Sequence, residues 1–147
     1  MVCQRVLHAE VRIKGRIFSQ ITKGLLVYLS VGKTDTLKDA LFMAEKLVNL
    51  RIFADEAGKM NRSVLDVGGA ILLVSNFTLH GDCRKGRRPS FDSAAEPESA
   101  QRLYEKLIEL IASRGVAVEK GTFGEHMHIS SLNDGPVTLI LDSSRLF

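Results

Sequence analysis

Ala70-Ile71-Leu72-Leu73-Val74, followed at once by Ser75-Asn76-Phe77-Thr78, is the stretch on which the fold turns. Five consecutive apolar residues suit a strand buried on both faces, and the run is too short for a buried helix. Polarity returns at Ser75, so the strand leaves the core carrying hydroxyl and amide groups into an opening, where binding groups commonly lie. Upstream, Leu25-Leu26-Val27-Tyr28-Leu29 has the same two-sided apolar character and reads as a second central strand over 24–31.

Outward from these strands the elements follow in turn. Residues 2–13 and 16–21 alternate apolar and polar positions around Lys14-Gly15, a hairpin pattern. Thr36 and Asp39 have capping-box spacing, and Leu37, Ala40, Leu41, Ala44, Leu47 and Val48 then recur at helical intervals, predicting a helix over 37–50. Residues 54–69 read as turns with a short strand near 63–67. Pro97 opens a second amphipathic helix marked by Ala100, Leu103, Tyr104, Leu107, Leu110 and Ile111 and stopped by Gly115. Three closing strands are expected at 116–119, 127–132 and 137–142, the last two joined across Asn133-Asp134-Gly135-Pro136. Strands outnumber helices without strict βαβα alternation. The expected fold is therefore α+β: antiparallel β-sheets curved into a barrel or sandwich, with two amphipathic helices packed outside.

The chain's 147 residues fit one domain, 1–147. Apolar residues make up 45% and no apolar run nears the roughly 20 needed to span a bilayer, so membrane insertion by a helix is not expected. Met1-Val2-Cys3-Gln4-Arg5-Val6 begins a strand rather than a secretion signal, and Cys3 and Cys83 have no metal-ligand spacing. Both points favour a cytoplasmic protein without disulfides or structural zinc. The net charge is only +3, yet Arg84, Lys85, Arg87 and Arg88 fall within five residues. Such a cluster suits phosphate contacts, or is simply a solvated basic loop.

No Gly-rich phosphate loop, HExxH, GxSxG or close carboxylate pair with a neighbouring histidine is present, so no cofactor is implied. His126 and His128 share one strand face but lack an evident third ligand, so no metal is expected there. His8 and His80 read as structural. Thr78 is a nucleophile only if a base activates it, and on an extended chain His80 would share its face. The backbone N–H groups of Phe77 and Thr78, at the end of the central strand, are better suited to holding a developing oxyanion. Gly135-Pro136 alone reads as turn punctuation with a trans bond.

Four segments together resemble the D-aminoacyl-tRNA deacylase family: Asn49-Leu50-Arg51-Ile52-Phe53, Gly58-Lys59-Met60-Asn61, Ser75-Asn76-Phe77-Thr78-Leu79 with Lys85-Gly86-Arg87-Arg88-Pro89-Ser90-Phe91, and Asn133-Asp134-Gly135-Pro136-Val137-Thr138. The resemblance covers essentially the whole chain. It implies a homodimer with active sites at the subunit interface that hydrolyses the ester joining a D-amino acid to the terminal adenosine of tRNA. Glycine mischarged on tRNA, such as tRNA-Ala, is also an implied substrate. The family's Gly-Pro, matched by Gly135 and Pro136, is cis, enters the partner's pocket and clashes with an L side chain, while Arg5 matches the position that braces it. Exclusion suits this task because a steric block penalises the abundant L substrate directly.

The resemblance further implies a catalytic segment Ser75, Asn76, Phe77 and Thr78. In it the Phe77 and Thr78 amides hold the carbonyl while the ribose 2′-hydroxyl assists an attacking water. Phe123, Gly124, Met127 and Thr138 match positions lining the adenosine pocket, and Arg84, Lys85, Arg87 and Arg88 are candidates for tRNA phosphates. Asn76 departs from the family's usual glutamine, so any contact made by that side chain differs here. Two other readings stay open from the residues alone: a non-catalytic nucleic-acid-binding module using the basic loop, and a purely structural dimer.

Overall fold

In the computed structural model, which describes residues 1–146, β1 (Val2–Ile13) and β2 (Arg16–Ile21) form the expected hairpin. The chain turns at Lys14 and Gly15, whose φ values of 51° and 79° match the right-handed twist of the strands it joins. On one edge β1 pairs with β8 (His128–Ile140). On the other, its first half pairs with β3 (Gly24–Leu29) and its second half with β2. β6 (Ala70–Ser75) lies beside β3, and β7 (Ala117–Lys120) beside β6. The sheet curls until β2 meets β7, where the Ser19 hydroxyl donates to the Lys120 carbonyl at 2.7 Å, so the barrel is nearly closed. β4 (Phe53–Ala54) and β5 (Met60–Arg62) make a second, small sheet.

Both helices, α1 (Leu37–Asn49) and α2 (Pro97–Ala112), pack on the outside of the barrel. Period two sorts the central strands between two cores. Leu25, Val27, Leu29, Ile71 and Leu73 face the helices with Ala44, Leu47, Leu107 and Ile111, whereas Leu26, Leu72 and Val74 fill the barrel with Val6, Ala9 and Val11. That is why β3 and β6 are apolar on both faces. The Thr36 cap forms as expected, Asp39 Oδ2 accepting from the Thr36 N–H and hydroxyl at 2.8 Å each.

The α+β barrel with two outer helices matches expectation, but its pairing is mixed. β3–β6 and β6–β7 are parallel, because a helix crosses over between the members of each pair and returns the chain to the same end of the sheet. The small sheet and the basic loop, inserted in these crossovers, hide the alternation in the sequence. The strand expected near 63–67 is a turn: Asp66 Oδ2 accepts from the Ser63 N–H and hydroxyl at 2.8 Å, and Ser63 Oγ accepts the Asp66 N–H at 3.1 Å. The hairpin expected across Asn133-Asp134-Gly135-Pro136 is absent, since β8 continues through it as one strand.

Candidate active site

The site begins where β6 ends. Asn76 donates its N–H to the Leu29 carbonyl at 2.7 Å, and the next four residues, Phe77–His80, form a 3-10 turn rather than extended chain. Asparagine is short enough to bond backbone two residues on, and its Oδ1 accepts both the Thr78 N–H (3.2 Å) and the Thr78 hydroxyl (2.5 Å). Thr78 and His80 thus do not share a strand face; His80 Nδ1 is hydrogen-bonded to the Ser30 hydroxyl. Among the described residues no base is hydrogen-bonded to the Thr78 hydroxyl, and its amide is already engaged. The Phe77 N–H, an orphan donor of the turn's first residue, has no acceptor among the described residues. The exposed Phe77 ring stands edge-on to Phe91, with centroids 5.0 Å apart.

A buried tyrosine of α2 brings a second segment to this opening. The Tyr104 hydroxyl lies 2.9 Å from the Leu73 carbonyl and 3.2 Å from that of Gly121, while the Gly121 N–H donates to Leu73 at 2.9 Å. Burial pushes the Tyr104 pKa up, so it stays a neutral donor. Phe123 packs 6.0 Å from the Tyr104 ring, and Met127 lies against Gly121 and the inner barrel core. Phe123, Gly124 and Met127 therefore sit beside the end of β6. Sequence reasoning gave Tyr104 only a core role, because its two carbonyl partners lie far along the chain.

Gly135-Pro136 occupies a different place. Gln4 pairs with Thr138 and Val6 with Asn133, so residues 134–137 of β8 stand against Arg5 alone and bulge from the ladder. The Gly135–Pro136 peptide bond is cis. Arg5, its side chain 14% exposed, donates from Nη1 to the Ile52 carbonyl at 2.5 Å. Its Nε sits 2.9 Å from Asp134 Oδ2, an ion pair whose alignment leaves that N–H without a hydrogen bond. A Cβ on Gly135, where φ is 119°, would lie 2.9 Å from both Arg5 Nη2 and Val137 Cγ2, so only glycine fits.

Thr138 belongs to the bulge rather than to the end of β6: its hydroxyl accepts from Gln4 Nε2 at 3.2 Å and donates to Asn133 Oδ1 at 3.4 Å. Across the sheet Arg5 is level with Leu25 and Ile71, five positions before Asn76. At a strand rise of ~3.3 Å per residue the bulge and Asn76, at the end of β6, are offset by about 17 Å along the sheet, and further strands separate them sideways. One chain does not bring them together.

The basic loop is closed by backbone bonds between Asp82 and Ser90 at 2.7 and 3.0 Å. Within it Arg84 grips Asp82 through Nε (2.9 Å) and Nη2 (2.7 Å), holding that carboxyl down at about 2. Lys85, Arg87 and Arg88 are exposed and without ion pairs among the described residues. His126 and His128 stack edge to face at 5.1 Å, and the described residues contain no cluster of three or more metal-ligating side chains.

The family model for D-Tyr-tRNA(Tyr) deacylase matches residues 2–142. A D-aminoacyl-tRNA deacylase of Fervidobacterium nodosum is 56% identical over 146 residues, 99% of this chain and 98% of that protein. One from Thermosipho africanus is 53% identical with the same coverage. Among solved structures, the c-Myc DNA Unwinding Element Binding Protein superposes with a TM-score of 0.90 at 39% identity, covering 96% of both chains. A probable eukaryotic D-amino acid tRNA deacylase shares the fold at a TM-score of 0.81 and 18% identity, covering 94% of this chain and 95% of that one. Matched over residues 2–142 by the family model and over 99% of its length by these relatives, the chain belongs to the D-aminoacyl-tRNA deacylase family and is a hydrolase of aminoacyl-tRNA.

Proposed function

We propose that this protein is a cytoplasmic homodimeric editing enzyme, one domain over 1–147, that frees tRNA of D-amino acids and of misplaced glycine while sparing L-aminoacyl-tRNA. The observation that carries this reading is the pairing of the unengaged Phe77 N–H, just past the end of β6, with a Gly135-Pro136 bulge about 17 Å from that strand end along the same sheet. A filter so placed acts only on another chain's donor. The 13-residue β8 supports a second copy docking, since it bears exposed Leu132 and Ile140, 58% and 62% accessible.

In this mechanism the ester carbonyl accepts from the Phe77 N–H, joined by that of Thr78 when the Asn76 carboxamide releases it. Water, oriented by the ribose 2′-hydroxyl, adds to the carbonyl carbon. The C–O3′ bond then breaks and the 3′-oxygen takes the proton, leaving free amino acid and tRNA. Preorganised donors aimed at the developing oxyanion supply the rate, each worth ~10²- to 10³-fold. Phe123, Gly124 and Met127 receive the terminal adenosine, with Thr138 entering from the bulge. Gly135-Pro136 stands where an L side chain would project, and glycine passes because it has no side chain to exclude. Lys85, Arg87 and Arg88 meet tRNA phosphates, while Arg84 is occupied by Asp82.

The 39% identical structure is that of a protein named for binding a DNA unwinding element, which favours keeping nucleic-acid binding without turnover as a second reading. Deacylation of D-tyrosyl-, L-tyrosyl- and glycyl-tRNA by the purified protein, with a chelator present, separates the two. Turnover of the D and glycyl esters with the L ester spared is expected. Hydrolysis of all three removes Gly135-Pro136 as a filter, and tRNA binding without turnover favours the second reading.

A further inference from the structure

The bulge is held from two sides, and the sequence pattern accounts for only one of them. Arg5 grips its crest through Asp134. At its base, Asn133 Nδ2 donates to the Arg5 carbonyl at 2.9 Å and to the Val137 carbonyl at 3.0 Å, while Asn133 Oδ1 receives the Thr138 hydroxyl. Both carbonyls lie where the β1–β8 register is interrupted, so a single carboxamide supplies the donors that the broken ladder lacks. Asn133 itself is half-buried. The carboxamide closes the bulge from Asn133 before it to Val137 at its end and ties that closed base to Arg5 on the opposing strand. Sliding Gly135 or Pro136 outward requires breaking those bonds.

We propose that Asn133 is a specificity-positioning residue: its carboxamide staples the two ends of the 134–137 bulge to β1 and so fixes how far Gly135 and Pro136 project. This rests on the reading of Gly135-Pro136 as the filter against L substrates. Asn133 touches no reacting atom, so its loss acts on discrimination rather than on the chemical step. The side chain must be both donor and acceptor at this spot. Aspartate matches its shape and keeps the acceptor for Thr138, but directs a carboxylate at two carbonyls and offers them no proton.

The test compares wild type with Asn133→Asp and, as a second variant, Asn133→Ala, measuring kcat and KM for D-tyrosyl- and L-tyrosyl-tRNA together with thermal melting. The expected result is a rise of about tenfold or more in the L-to-D ratio of kcat/KM in both variants, with D-ester turnover within about threefold of wild type, as a loosened exclusion element requires. An unchanged ratio in either variant that melts cooperatively overturns the proposal. Equal loss of D and L turnover in a folded variant also overturns it, because it places Asn133 in general stability or in the chemistry. A wild type that hydrolyses both esters alike refutes the underlying filter instead, and so distinguishes the two failures.

Discussion

Replacing Thr78 by valine separates backbone from side-chain catalysis at the end of β6. Valine keeps the β-branched shape and removes one hydroxyl. In the structure that hydroxyl donates to Asn76 Oδ1, His80 Nδ1 is engaged with Ser30, and among the described residues no base is hydrogen-bonded to the Thr78 hydroxyl. The variant therefore loses one neutral hydrogen bond of an exposed cap, ~0.5–1.5 kcal/mol net. If all of that appears in the transition state, kcat for D-tyrosyl-tRNA falls between about twofold and about tenfold, since ~1.4 kcal/mol is tenfold in rate. The Asn76 Oδ1 to Thr78 N–H bond survives, so the turn keeps its shape. Single-turnover deacylation with enzyme in excess reads the chemical step directly, and Thr78→Ser serves as the control that restores the donor. A loss of about 10³-fold or more in folded Thr78→Val, of the size seen when a nucleophile is removed, refutes the reasoning and reinstates Thr78 as a nucleophile.

Three other outcomes follow from the geometry. Arg87→Ala with Arg88→Ala should weaken tRNA binding about equally across tRNA species and lower the log–log salt slope by roughly 0.7 for each phosphate no longer neutralised, while Arg84→Ala should change it less because Asp82 already holds that charge; salt-dependent filter binding measures both. Asp82 titrates near 2 against an ordinary 3.8, so its pair with Arg84 contributes fully above about pH 4 and is lost as pH falls through 2; carboxyl NMR shifts check the midpoint, and one near 3.8 would deny the pair. A mild thiol reagent at pH 8 should modify exposed Cys83 and leave Cys3, fully buried and pushed up to about 12 by desolvation, until denaturant is added; two fast thiols per chain would contradict the packing of β1.

Much of this molecule was legible in local pattern. β3 and β6 announced themselves because both faces are apolar, and α1 because Thr36 and Asp39 satisfy each other within one turn. What escaped was set by distant partners. Asn133-Asp134-Gly135-Pro136 carries every local mark of a turn, yet it pairs against Arg5, 128 positions from Asn133 in sequence, as a bulge inside a continuous strand. At the 3-10 turn Asn76, standing where the family usually has glutamine, accepts the Thr78 N–H through its Oδ1 at 3.2 Å. That substitution was visible in the sequence, but the bond it makes was not. The parallel pairing of β6 was masked by the length of its two connections.

The β1–β8 ladder joins residues near opposite ends of the chain: the Asn133 amide reaches an Arg5 carbonyl 128 positions away. Contacts of such separation form late, after the intervening loop closure has been overcome. On the ribosome, β1, β3 and β6 can meet while β8 is still being made, so the donor end of β6 takes shape before the bulge exists. On the proposed mechanism, selectivity is then the last property this polypeptide acquires during its own synthesis, because a chain released short of β8 would keep the Phe77 donor and lack the Gly135-Pro136 bulge.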